Sequence, residues 1–160
     1  MKPFLYRWNR RKPITKILIH CSATRPKRAA TEARKDIHRL HQEEKNFDGI
    51  GYHVFIQRDG TVQYGRNFDH IGSHAIRHND GSIGICLAGG VADNGDPEAN
   101  YTDAQWQSLD HQVLPALMLL FPEAEIGGHC DLPKVSKACP CFDVRRRYCR
   151  RKMIRCTQWR

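Results

Sequence analysis

His129, Lys137 and Cys139 stand close together in the chain, in Gly127-Gly128-His129-Cys130-Asp131-Leu132-Pro133 followed by Ser136-Lys137-Ala138-Cys139-Pro140. An imidazole and a thiolate joined by a short loop make half of a zinc site, and His20, ending the apolar stretch Ile17-Leu18-Ile19, offers a third ligand. Two His and one Cys leave a fourth tetrahedral position open, which separates catalytic from structural zinc. A neighbouring lysine can stabilise an oxyanion. These residue types point to metal-assisted hydrolysis. Spacing alone leaves another reading open, because His20 lies 109 residues before His129 and a buried histidine at a strand end is also an ordinary hydrogen-bonded core residue.

The elements that must position these groups can be read along the chain. Lys16 to Cys21 reads as a buried strand ended by Ser22. Residues 31–45 read as a helix, with Thr31 as its cap, Glu32 in its first turn, and Ala33, Ile37 and Leu40 on one face. Tyr52 to Ile56 and Thr61 to Tyr64 read as a hairpin turning at Asp59-Gly60, with positive φ expected at both turn residues. Ser82 to Leu87 is a further apolar strand, which makes Cys86 a core residue, and Gly89 to Asn100 is a loop. Thr102-Asp103-Ala104-Gln105 is a capping box opening a long helix with an apolar stripe at Trp106, Leu109, Val113, Leu117 and Leu120. Pro115 predicts a kink in that helix and Pro122 its end. Ala124 to Gly127 is a last short strand that delivers His129, and residues 143–156 read as a basic helix. If the strands ending at His20 and His129 are neighbours, both ligands reach the same sheet edge.

Composition sets the frame. The chain of 160 residues is 40% hydrophobic, enough for one domain with a real core. Residues 1–31 carry nine Lys/Arg and no acid, and residues 145–160 carry eight and no acid. All 17 acids lie in 32–144 with nine basic residues, so the middle is acidic and the net charge of +9 comes from the two ends. Such ends attract anionic polymers such as nucleic acid, lipid headgroups or cell-wall phosphates, or serve only as solubilising tails. No stretch is long enough to span a membrane, and Ile17-Leu18-Ile19 is too short for a signal-peptide core, so the chain is expected to be made and kept in the cytoplasm. Seven cysteines in such a chain are expected to be thiols, with metal binding a likelier special role than disulfides.

Five segments occur in order: Ile17-Leu18-Ile19-His20-Cys21-Ser22-Ala23-Thr24; Gly49 to Thr61, which contains Gly51-Tyr52-His53; Gly72-Ser73-His74-Ala75; Gly127-Gly128-His129; and Lys137-Ala138-Cys139-Pro140. Together they resemble the zinc-dependent N-acetylmuramoyl-L-alanine amidases of the type-2 family, which includes short bacteriophage lysozymes and the peptidoglycan recognition proteins. The resemblance covers roughly residues 14–148.

It implies an α/β fold, a single domain with a central mixed sheet flanked by helices on both sides. Residues 1–160 would form one amidase domain, with a basic arm at 1–13 and a basic helix or tail at 143–160. It implies Zn²⁺ held by His20, His129 and Cys139, with Tyr52 and Lys137 as catalytic residues and His74 as a substrate-binding groove histidine. It implies hydrolysis of the amide between N-acetylmuramic acid and L-alanine in peptidoglycan, by an endolysin that stays in the cytoplasm of the infected bacterium until lysis.

Two other functions are open: a peptidoglycan-binding module without catalysis, and a regulatory protein that also binds the phage RNA polymerase, for which the N-terminal arm with Arg7, Arg10, Arg11 and Lys12 is a candidate surface. Cys130, Cys141 and Asp131 stand near enough in sequence to compete with Cys139 for the metal. A rival site at His70, His74 and His78 needs a helix there, which Gly72 and Asn79-Asp80-Gly81 oppose.

Overall fold

The computed structural model describes residues 12–26 and 50–148. The helix expected over 31–45, most of the basic N-terminal arm and the end of the chain from Cys149 lie outside the described residues. Five strands form one mixed sheet: β1 (Lys16–Cys21), β2 (Val54–Ile56), β3 (Val62–Tyr64), β4 (Ser82–Leu87) and β5 (Glu125–Gly128), in the order β3-β2-β4-β1-β5. β1 runs parallel to both β4 and β5, β2 runs parallel to β4, and only the edge strand β3 is antiparallel. The central strands are rich in branched residues and are covered on both faces, as parallel strands require.

Alternation along the strands sorts the two faces. Ile17, Ile19, Val54, Ile56, Ile83, Ile85 and Leu87 point to the larger core, where they meet Leu109, Val113, Leu114 and Leu117. Leu18 joins Ala75 and Leu132 in a second cluster, and Phe55 and Cys86 join Ile50 and Ala88 in a third. His20 shares the face of Leu18, Phe55 and Cys86 by this alternation.

The hairpin differs from its expected form. Gly60 has positive φ (86°), and Asp59 does not. Gly60 N–H donates to Gln57 C=O at 3.0 Å and Gln57 N–H to Thr61 C=O at 2.9 Å, so the loop is a wider turn closed by one left-handed glycine. Asp59 instead accepts the Thr61 N–H at 2.9 Å through its side chain.

The capping box forms as read. Thr102 Oγ1 accepts the Gln105 N–H at 3.2 Å, and Gln105 Oε1 accepts the Thr102 N–H at 3.1 Å. Helix α1 (Asp103–Ser108) then passes through a π-helical turn, Leu109–Val113, into α2 (Leu114–Leu120). The wider turn lies immediately before Pro115 and takes up the amide and ring constraints that make proline break a helix. One extra residue in that turn advances the apolar face. Leu114 is buried, Met118 and Phe121 pack on the core, and Leu120 is exposed, contrary to its place on the expected stripe.

Helix α3 (Val144–Tyr148) falls within the basic helix expected over 143–156, the rest of which lies outside the described residues. It is fastened to the π-helical turn through Asp110, which accepts from Arg147 and from the Tyr148 hydroxyl, both at 2.6 Å. Among the described residues no helix is long and apolar enough to cross a membrane.

Candidate metal centre

β1 and β5 are parallel neighbours in register Ile19↔Gly128, so the residues that follow, His20 and His129, emerge level at the same carboxyl edge. That edge is where open α/β sheets present ligand sites. His20 is the last-but-one residue of β1 and is 1% exposed. His129 opens a short 3₁₀ turn, His129–Asp131, and is half-buried. Cys139 arrives on the loop after that turn. Its carbonyl accepts the Cys130 N–H at 2.8 Å, and the next carbonyl, of Pro140, accepts the buried Tyr101 hydroxyl at 2.7 Å. The Cys139–Pro140 peptide is cis.

These anchors bring one donor atom each from His20, His129 and Cys139 within 4.8 Å of one another. The Cys139 sulfur lies 4.0 Å from His20 Nδ1, and the two imidazole rings are 4.6 Å apart. A tetrahedral ion about 2.0 Å from nitrogen and about 2.3 Å from sulfur sets its donors roughly 3.5 Å apart. Small side-chain shifts bring this set to that spacing, and its N,N,S chemistry suits zinc.

The electrostatics agree with a cation site. Burial holds the His20 imidazole well below its ordinary pKa, with His129 and Lys137 adding to the effect. His129 is lowered by burial and then by Lys137 and His78. Both rings are therefore neutral near pH 7, the form that binds metal. Cys139 beside it lowers the Cys21 thiol to about 6, and Cys21 together with burial raises that of Cys139. A divalent ion held by Cys139 would reverse that order, because a coordinating thiol is deprotonated outright. The Cys21 backbone N–H, 3.2 Å from the Cys139 sulfur, also favours thiolate there.

Tyr52 lies before β2, its ring 5.3 Å from that of His20. Burial pushes its hydroxyl well above the ordinary phenol pKa, and its side chain packs on the cluster that holds Cys86. Cys86 is thus fully buried, as read from the sequence, but it backs Tyr52 rather than serving only as filler. Lys137 is exposed on the loop, and its charge is felt at both histidines. His74 sits behind the site, its Nδ1 3.0 Å from His20 Nε2.

The competing ligands point elsewhere. Asp131 accepts the Gly128 N–H at 2.7 Å and pairs with Arg145 at 3.4 Å. The Cys141 thiol, raised to about 12 by burial, donates to Gly90 C=O at 3.2 Å. His70, His74 and His78 do not lie on a helix, and among the described residues the group that could hold an ion is His20, His129 and Cys139 alone. The sequence reading missed Cys21, Tyr101 and His53. His53 is fully buried, with Nδ1 accepting the Gly84 N–H at 3.0 Å and Nε2 donating to His70 C=O at 3.1 Å. Strand alternation carries no signal for Cys21 or Tyr101, because both act where loops converge.

A family model described as N-acetylmuramoyl-L-alanine amidase matches residues 10–142. The endolysin of Enterobacteria phage T3 is 40% identical over 130 residues, which cover 81% of this chain and 82% of that protein. The endolysin of Klebsiella phage KP32 is 38% identical over 139 residues, covering 87% and 88%. The structure of Drosophila PGRP-LB is similar with a TM-score of 0.67 at 25% identity, over 82% of this chain and 77% of that one. A match across most of the chain, joined to converging donors at one sheet edge, places the chain in the N-acetylmuramoyl-L-alanine amidase family.

Proposed function

We propose that this chain is a zinc amidase of the endolysin type, which hydrolyses the amide between N-acetylmuramic acid and L-alanine in peptidoglycan. The observation that carries this reading is the convergence of His20, His129 and Cys139 at one edge of the sheet, in a chain of the amidase family. Those three residues would hold the ion. Bound there, zinc supplies a Lewis acid and makes water nucleophilic near neutral pH.

The rest of the chemistry falls to the chain itself. Water adds to the lactyl carbonyl, the C–N bond breaks, and the alanine nitrogen leaves with a proton. Lys137, exposed on the loop with a charge felt at both histidines, steadies the oxyanion of the tetrahedral intermediate. Tyr52, its ring 5.3 Å from that of His20, orients the reacting groups. Burial of His20 keeps it neutral and excludes water from the rear of the site.

The test is mass analysis of digested peptidoglycan beside a zinc assay. Wild type releases stem peptides with free N-terminal L-alanine and creates no new reducing sugar ends. His20→Ala, His129→Ala and Cys139→Ala each lose this activity and their zinc, and chelation abolishes wild-type activity until zinc is restored. Wild-type-like release by all three variants overturns the mechanism. Bound zinc with no release assigns the chain to peptidoglycan binding.

The reading extends to the whole chain as one amidase domain, residues 1–160. The basic ends, 1–13 and 143–160, would hold it to the anionic wall or membrane surface, an attraction that weakens as salt rises. The enzyme would accumulate in the cytoplasm of the infected bacterium and reach the wall at lysis. A second partner, the phage RNA polymerase, rests on the resemblance to short phage lysozymes, and a pull-down with the cognate polymerase tests it.

A further inference from the structure

We propose that His74 is a positioning residue for the metal: its Nδ1 accepts the Nε2–H of His20 and so fixes His20 in the tautomer whose Nδ1 lone pair is free for the ion. This inference rests on the zinc reading above and assigns His74 a role distinct from contact with substrate.

The geometry is specific. His20 Nε2 and His74 Nδ1 are 3.0 Å apart, and the rings meet edge to face, with centroids 5.0 Å apart and planes at 79°. On the far side of the same ring, His20 Nδ1 faces the Cys139 sulfur at 4.0 Å. A neutral imidazole carries one N–H. If His74 donated to Nε2, the His20 proton would lie on Nδ1, aimed at the place a cation must occupy. With His20 donating to His74, Nδ1 is a free ligand, and the ring is held at the angle that points it there. A metal-bound histidine is normally oriented in this way by a partner on its second nitrogen.

The fold builds a seat for this partner. The ring of His74 lies where side chains at Gly72 and Gly84 would otherwise stand, since a Cβ on either glycine would come within 2.4–2.5 Å of its Cδ2. Gly84 is itself pinned by His53, which accepts its N–H at 3.0 Å. The turn that carries His74 is tied by Asn79, whose Oδ1 accepts the N–H groups of His74 at 2.9 Å and Ala75 at 2.7 Å. Two glycines, a buried histidine and an asparagine thus hold one nitrogen against the back of one ligand.

The experiment compares full-length wild type, His74→Ala and His74→Asn. Zinc affinity is measured by competition with a chromophoric chelator, KM and kcat on purified peptidoglycan, and the His20 tautomer by nitrogen-15 NMR of the zinc-loaded wild type. The expected tautomer carries its proton on Nε2. His74→Ala weakens zinc binding by about 10–100-fold. His74→Asn recovers most of that loss, because its amide oxygen can accept where Nδ1 did. If His74→Ala does not fold, the asparagine variant and the wild-type NMR decide. Wild-type zinc affinity in His74→Ala with a raised KM makes His74 a substrate contact and overturns the proposal, as does a His20 proton on Nδ1. Failure of the zinc reading shows separately, in wild type that binds no zinc at His20, His129 and Cys139, and removes the His74 role with it.

Discussion

Lys137 is exposed, yet its charge reaches both His20 and His129. An ammonium placed this way is well suited to charge that develops during reaction and matters little before it. Lys137→Met is therefore expected to lower kcat by about 100-fold or more while KM and zinc content change little, the pattern of an interaction made mainly in the transition state. Steady-state kinetics with a zinc assay on the same preparation check it, and an unchanged kcat removes Lys137 from the reaction. Tyr52→Phe removes a hydroxyl that burial keeps protonated. It is expected to lower kcat by at least about 10-fold, at the low end for a positioned proton-transfer or hydrogen-bonding group, with zinc retained; equal kcat would leave Tyr52 a packing residue.

A few polar contacts tie the elements to one another. The start of α1 is tied twice by Thr102. Its hydroxyl caps the Gln105 N–H at 3.2 Å and donates to Arg58 C=O at 2.6 Å beside the β2–β3 loop. Gln105, wholly buried, extends the tie by donating from Nε2 to Ile56 and Ala88 carbonyls at 3.2 and 2.9 Å. Thr102→Ala is expected to cost about 1–2 kcal/mol of stability, the range for a lost N-cap. Denaturant unfolding checks this, and a midpoint shift without loss of zinc affinity would show that the cap stabilises the helix without shaping the site. The capping box was legible because its chemistry is local. The π-helical turn before Pro115 was not, because proline shows that a regular helix is strained and not how the neighbouring turns absorb it.

At the scale of the molecule, two imidazoles are held below their unfolded pKa by burial and neighbouring positive charge. In the unfolded chain histidine titrates near about 6.5, so below that pH the unfolded state binds more protons than the folded one. Stability of the metal-free protein is expected to fall as pH drops through about 6.5 toward the lowered folded values, and to be insensitive to these groups above it. Urea midpoints of chelator-treated protein from pH 8 to 5 test the sign. A midpoint that rises toward pH 5 would contradict the burial of His20 and His129 as neutral rings. Zinc should lift the midpoint more at neutral pH, where the two imidazoles are already neutral and Cys139 alone must lose a proton, than at pH 5.

Much of this protein could be read from local patterns. The five strands, the capping box, the strand-end position of His20 and the grouping of Lys137 with Cys139 all follow from periodicity or from neighbours in sequence, and the resemblance singled out His20, His129 and Cys139, whose donor atoms the fold brings together. Periodicity, however, says which residues share a face and not which strands are neighbours. The parallel pairing of β1 with β5 brings His20 level with His129 across 109 residues, and it is a property of the folded sheet alone. The same holds for Tyr101 reaching Pro140, Cys21 meeting Cys139, and His74 backing His20. Each is a contact between segments distant in the chain, made by packing that no local spacing encodes.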